Sequence, residues 1–258
     1  MEQSFVLSEG ELRIPCVLTE PEDGDIRRLV MGVHGFGGCT QDDIQTAIAD
    51  EMDMFYAATI RFDFPAHGES PMSDAYLTRP NCRNCLIAVA KWMRQRYPEV
   101  EDLCIFATGF GAYITLNALD NLLALPGKVK LVVQTPAVMM HKTMLAMKNI
   151  SQATLWAMEK VTFRAARPFD VNYSFYEDVR NHPAITTYPI PMLILQGEED
   201  SYIDTEDLRN FRRVNEDSKL VIVPGASHRF LEEGAWDMAL DLTRDWFAYE
   251  QVLLCDWE

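Results

Sequence analysis

Asp200 and His228 are the two residues of this chain of 258 whose types and order suit acid–base chemistry. Asp200 closes the run Leu193-Ile194-Leu195-Gln196-Gly197-Glu198-Glu199-Asp200, and His228 closes Val223-Pro224-Gly225-Ala226-Ser227-His228, so each follows an apolar segment of strand character. A carboxylate bound to one imidazole nitrogen fixes the tautomer in which the other nitrogen is a base. Glu198, Glu199 and Asp204 compete for the carboxylate's place, and acidic loop residues more often only face water. Ahead of both stands Ala107-Thr108-Gly109-Phe110-Gly111, with the spacing of G-x-S-x-G, a strand-to-helix turn that holds a nucleophile at positive φ. Gly109 occupies the nucleophile's place. Glycine meets the backbone demand better than serine does, but it supplies no Oγ. Any tight glycine-rich turn between a strand and a helix would read the same way. The loop His34-Gly35-Phe36-Gly37-Gly38 can offer backbone N–H groups to a developing oxyanion, those of Phe36 and Phe110 being the donors in this geometry. Its alternatives are a plain βα turn or a phosphate cradle, and the G-x-G-x-x-G of a dinucleotide site is absent.

These residues need a scaffold, and the hydrophobic patterning predicts one. Two alternating runs within residues 5–17, split by Glu9-Gly10-Glu11, suggest a hairpin at a sheet edge. Apolar runs at 29–33, 57–64, 102–107, 129–134, 192–196 and 220–223 read as buried strands. Helical spacing falls between them, with Thr40 as a candidate cap, then at 81–97, from Ala112 onward, at 205–214 and in a closing helix at 235–254. Strict alternation of strand and helix predicts an α/β fold, a mostly parallel central sheet with helices on both faces. Residues 138–188 break the rhythm and are too long for an ordinary connection, so they read as an insertion with its own structure. The core is then 1–137 and 189–258.

Composition narrows the partners. The net charge is −16, from 39 acidic and 23 basic residues, which argues against nucleic acid and anionic membranes because both are polyanions. No apolar run reaches the roughly 18 residues of a membrane span, and the N-terminus MEQSFVLSEG lacks a basic segment followed by an apolar one. The six cysteines have no framework spacing, so free thiols in a reducing, cytoplasmic setting are expected. Cys82-Arg83-Asn84-Cys85 has C-x-x-C spacing with no second pair or histidine cluster, so no metal and no cofactor is expected.

The chain resembles the α/β-hydrolase superfamily over essentially its full length, and within it the small carboxylesterases of the cinnamoyl and feruloyl esterase type. The likeness rests on residues 34–38, on Arg61-Phe62-Asp63-Phe64-Pro65-Ala66-His67-Gly68-Glu69-Ser70, on the Gly109 turn, on Gly197 to Asp200 and on Gly225 to His228. The order of turn, acid and histidine is that of the α/β-hydrolase triad. The resemblance implies a Ser, Asp, His triad, an oxyanion hole of two backbone amides and a cap inserted after the sixth core strand. Position by position, Asp200 is the acid, His228 the base, and Gly109 stands where the nucleophile belongs. Ala107 and Ala66 replace usual glycines and are small enough to leave the fold alone.

Removing a triad's nucleophile costs on the order of 10⁶ in kcat. The leading expectation is therefore a protein that binds an ester-like or aromatic small molecule with little or no turnover. The alternatives are a serine carboxylesterase inactivated by a Ser to Gly change, or slow hydrolysis through a His228-activated water or through Cys39. Ligand contacts are expected from Gly35 and Cys39 beside the oxyanion loop, and from Met139, Met140 and Trp156 in the insertion, whose methionines and aromatics suit apolar ligands or form its own small core. Arg164 and Arg167 could recognise a carboxylate, and His67 and Asp63 are expected to stabilise the loop after their strand.

Overall fold

A computed structural model describes residues 1–22 and 24–250. The chain opens with an antiparallel pair, β1 (Glu2–Glu9) and β2 (Leu12–Thr19), turned at Gly10 and Glu11. Then follow β3 (Arg28–Val33), α1 (Asp43–Asp53), β4 (Ala57–Phe62), α2 (Arg79–Arg96), β5 (Asp102–Thr108), α3 (Gly109–Leu123) and β6 (Lys128–Gln134). Between β6 and the next core strand lie α4 (Met140–Lys148), α5 (Gln152–Met158), the hairpin β7 (Lys160–Phe163) and β8 (Phe169–Asn172), and α6 (Tyr173–Asn181). The core resumes with β9 (Met192–Gly197), α7 (Thr205–Val214), β10 (Lys219–Val223) and α8 (Ala235–Tyr249).

Eight strands form one sheet in the order β1-β2-β4-β3-β5-β6-β9-β10. The pairs β1·β2 and β2·β4 are antiparallel, and all others are parallel. Alternate residues of the inner strands feed two separate cores. Met31, Ile105 and Val133 face the layer of α2 and α3, whereas Val30, Cys104, Phe106 and Val132 face α1 and α8. Burial on both faces explains why these strands carry continuous apolar runs.

After β3 the chain builds β4 on one side and then returns to place β5 on the other. Such a reversal opens a crevice at the carboxyl ends of the two neighbouring strands, where α/β sheets bind ligands. Here the neighbours are β3 and β5, in register with Val33 opposite Ala107, so the 34–38 loop and Gly109 emerge side by side.

Two local expectations change. Thr40 does not cap α1; its N–H donates to Asp63 Oδ1 at 2.7 Å and its carbonyl accepts from Arg61 at 2.9 Å, so it is locked in the loop and the cap position falls to Asp42. Helix α2 starts at Arg79, earlier than expected, because Thr78 accepts from the Asn81 N–H at 3.2 Å and Pro80 is tolerated in a first turn. Helix α8 is described to Tyr249, and the expectation of helix to residue 254 lies outside the described residues, as does Cys255. Cys16, Cys39, Cys82, Cys85 and Cys104 are free thiols, with Cys82 and Cys85 buried on α2. Among the described residues no helix is long and apolar enough to cross a membrane.

Candidate active site

Gly109 is the first residue of α3 and has φ +48°, the left-handed conformation the turn requires. Two residues on, Gly111 passes so close to β3 that a Cβ would lie 2.5 Å from the His34 carbonyl oxygen and 2.6 Å from that of Val33. A side chain at 111 would push the helix off the sheet, so that glycine is fixed by packing rather than by chemistry.

His228 sits across from Gly109 in the loop after β10. Its Nδ1 donates to Asp200 Oδ2 at 2.8 Å, which leaves Nε2 as the acceptor nitrogen. The Asp200 carboxylate has no solvent exposure, and every other oxygen contact is a donor. Oδ1 accepts from the backbone N–H of Tyr202 at 2.8 Å and of Ile203 at 3.2 Å, and Oδ2 also accepts from Gln196 Nε2 at 3.1 Å. Burial disfavours the charge on Asp200, but the His228 bond and these donors outweigh it and hold the carboxyl below its ordinary range. The rival carboxylates are otherwise engaged or exposed: Glu198 accepts from the Gly225 N–H, Asp204 caps α7, and Glu199 faces water.

A cavity of about 430 Å³ opens over this group. Its floor includes Gly35, Phe36, Thr108, Gly109, Phe110 and His228, and α4 and the β7–β8 turn contribute Met140, Met147, Arg164 and Ala165 to its wall. A Cβ built on Gly109 would find His228 Nε2 at 3.7 Å and Gly35 Cα at 3.9 Å, both ordinary contacts. Phe110 lies in the first turn of α3, where backbone N–H groups have no intrahelical acceptor.

Cys39, Met139 and Trp156 do not line the cavity. Trp156 is 66% exposed on α5, and Met139 packs against the core at the start of α4. The Cys39 thiol points to Asp42 Oδ1 at 3.7 Å, and burial together with Asp42 and Asp63 raises its pKa, so it is a thiol rather than a nucleophilic thiolate. Three phenylalanines of residues 138–188 are closed into a cluster. Phe163, Phe169 and Phe175 pack their rings 4.9, 5.1 and 6.1 Å from that of Phe36, which itself meets Phe110 edge to face.

The supporting loop is held by Asp63, whose two oxygens accept from the N–H groups of Thr40 and Glu69. His67 donates from Nδ1 to the Pro65 carbonyl, and His34 accepts from the Phe64 N–H at Nε2 while donating from Nδ1 to Gly35. Arg167 is spent on this loop as well, donating to the carbonyls of Ser70 and Met72. Ala66 proves to have φ +66°, so its cost where glycine is usual is conformational and not one of size.

Gln196, Tyr202 and Arg229 join the site without having been anticipated. Gln196 carried a signal as a polar residue in a buried strand, and Tyr202 stacks edge-on against His228 with ring centres 5.1 Å apart. Asp200 accepting from the N–H groups two and three residues on is an Asx pattern that sequence alone suggests only weakly.

Strand order, strand direction and crossover place this chain in the α/β-hydrolase fold. Solved structures agree. A protein described as a hydrolase from Agrobacterium vitis S4 superposes with a TM-score of 0.79 at 18% identity, covering 95% of this chain and 97% of that one. Est1E from Butyrivibrio proteoclasticus with ferulic acid bound gives 0.77 at 17% identity, over 97% and 100% of the two chains. Alpha/beta hydrolase domain-containing protein 10 from mouse gives 0.73 at 16%, over 96% and 100%. Neither a protein-family model nor a curated protein matches the sequence.

Proposed function

We propose that this chain binds ester-like or aromatic carboxylic compounds in the cavity above Gly109 and turns them over slowly or not at all. The observation that carries the reading is the space at Gly109. An acid–base pair stands on one side, with His228 Nε2 3.7 Å from the position of a Cβ on residue 109, and residue 109 itself carries no side-chain oxygen. In the same reading Phe36 and Phe110 supply oxyanion amides, the insertion at 138–188 acts as a cap, and the setting is cytosolic. The binding of ferulic acid by Est1E, a protein of the same fold, favours an aromatic acyl group.

Two further readings share the geometry. Position 109 is that of a serine carboxylesterase changed to glycine, or a water in the serine's place is deprotonated by His228 and attacks slowly. The test is Gly109→Ser, assayed with the unaltered chain on short p-nitrophenyl esters and methyl hydroxycinnamates. The serine Oγ, one bond beyond a Cβ that already fits, comes within hydrogen-bond reach of His228. A gain of roughly 10³-fold or more in kcat/KM is expected. Turnover of tens per second by the unaltered chain would overturn the low-activity reading, and an inert serine variant would remove the carboxylesterase lineage of the site.

A further inference from the structure

Some arginines of this acidic chain are engaged by carboxylates, as Arg79 is by Asp178 and Arg244 by Glu51, and others by carbonyls, as Arg94 and Arg167 are. Arg164 and Arg229 differ from these. Both line the cavity above Gly109, both are exposed, and among the described residues neither forms a hydrogen bond or an ion pair. They come from distant parts of the chain, Arg164 from the β7–β8 turn and Arg229 from the residue after His228. Their convergence on one cavity is therefore a product of the fold and not of local sequence.

The other charges of the cavity are Asp42 and Asp43. Asp42 lies within the field of Arg229 but beyond ion-pair distance, and its one side-chain donor is the Cys39 thiol. Burial raises its pKa, and the charge of Arg229 partly offsets that rise. Asp43 stands in the first turn of α1, where the helix N-terminus offsets its charge. The first turn of α3, with Thr108, Gly109 and Phe110, opens on the same cavity and adds partial positive charge to that of the two guanidinium groups.

We infer that Arg164 and Arg229 form an anion subsite, and that the ester bound over Gly109 carries a second, free carboxylate that they clasp. A planar carboxylate suits guanidinium because each can bind it through two N–H groups. The inference rests on the reading that the cavity binds esters, and it narrows the ligand class to half-esters and other ester acids.

Two probes of one shape separate the ideas: methyl 4-carboxycinnamate and its neutral 4-carbamoyl counterpart, titrated into the intact chain by calorimetry. The carboxylate is expected to bind about tenfold more tightly at low salt, and added salt should reduce that preference because both guanidinium groups are exposed. In the double variant Arg164→Gln with Arg229→Gln, which removes the charges and keeps most of each side chain, the preference for the carboxylate over the carbamoyl probe should disappear. Equal binding of the two probes by the unaltered chain, or a preference that survives in the double variant, would overturn the subsite and leave ester binding standing. Binding of neither probe would remove ester binding, and the subsite with it.

Discussion

The two halves of the site are built to different standards. On the histidine side, Asp200 collects a bond from His228, one from Gln196 and two from the backbone, so its charge is fixed from every direction. On the elbow side residue 109 is a glycine at φ +48°, and a Cβ built there would meet His228 Nε2 and Gly35 Cα only at ordinary contact distance. The difference separates what packing requires from what a reaction requires. Gly111 and the register of β3 with β5 would hold the turn in place whatever stood at 109. A nucleophile's oxygen bonds to nothing the fold depends on, so its absence leaves the surrounding architecture intact.

The comparison can be broken most forcefully by restoring the elbow side and then damaging the other. In the Gly109→Ser background, Asp200→Asn should lower kcat by roughly 10³ to 10⁴, since an amide at this position favours the wrong imidazole tautomer. On the proposed reading, the same Asp200→Asn change in the chain as it stands has no covalent step to slow. A serine variant indifferent to Asp200 would mean that the histidine side is a structural clamp. Gly109→Ser also places a side chain at positive φ, which should cost about 1 kcal/mol after glycine's larger unfolded-state entropy is counted. A melting temperature lower by about 2–4 °C, alongside the gain in rate, would record that trade.

Acid sharpens the contrast between histidines of the site and histidines of its supports. Burial lowers His34 to about 4 and His67 to about 3, from an ordinary 6.5. When the chain unfolds both take up protons that the fold excludes, so their contribution is complete above about pH 6.5 and declines as pH falls toward the folded values. Each should remove up to about 1.4 kcal/mol per pH unit across that window. Asp42 and Asp63 pull the other way, because burial raises their pKa and protonation relieves them. Asp200, held low, adds its own loss only beneath the usual carboxylate range. Thermal melts at pH 7, 6, 5 and 4.5 should show a steady fall in midpoint; a flat profile would mean that the two imidazoles are reached by water.

How much of this could be read from residues alone follows the same division. Buried strands and the acid-then-histidine order are local patterns, and the α7 bounds of Thr205–Val214 coincide with the expected 205–214. Asp200 among three acidic rivals was open to argument in one dimension, and contact with His228 is what singles it out in three. The insertion resisted because its aromatics serve two roles that composition does not distinguish. Phe163, Phe169 and Phe175 close on Phe36, whereas Met140 and Met147 reach the cavity. Trp156 looked like a ligand contact by type, yet it sits on the outer face of a seven-residue helix. Arg229 was invisible because nothing about its neighbours in sequence says that Arg164 will meet it across the same cavity.

The smallest effect concerns the loop that carries His67. Ala66 is fully buried with φ +66°, a conformation that costs an L-residue about 1–2 kcal/mol and glycine almost nothing. Replacing it by glycine relieves that strain but gives the unfolded chain more freedom, worth about 0.5–1 kcal/mol in the opposite direction. It also removes a buried methyl from the core around Phe62 and Phe64. The Ala66→Gly variant should therefore gain no more than about 0.5 kcal/mol in denaturant unfolding, with ligand affinity unchanged because residue 66 does not line the cavity. A gain well above 1 kcal/mol would show that strain at this bend was shared by its neighbours, and the bend would then belong with the strained elbow rather than with its packed surroundings.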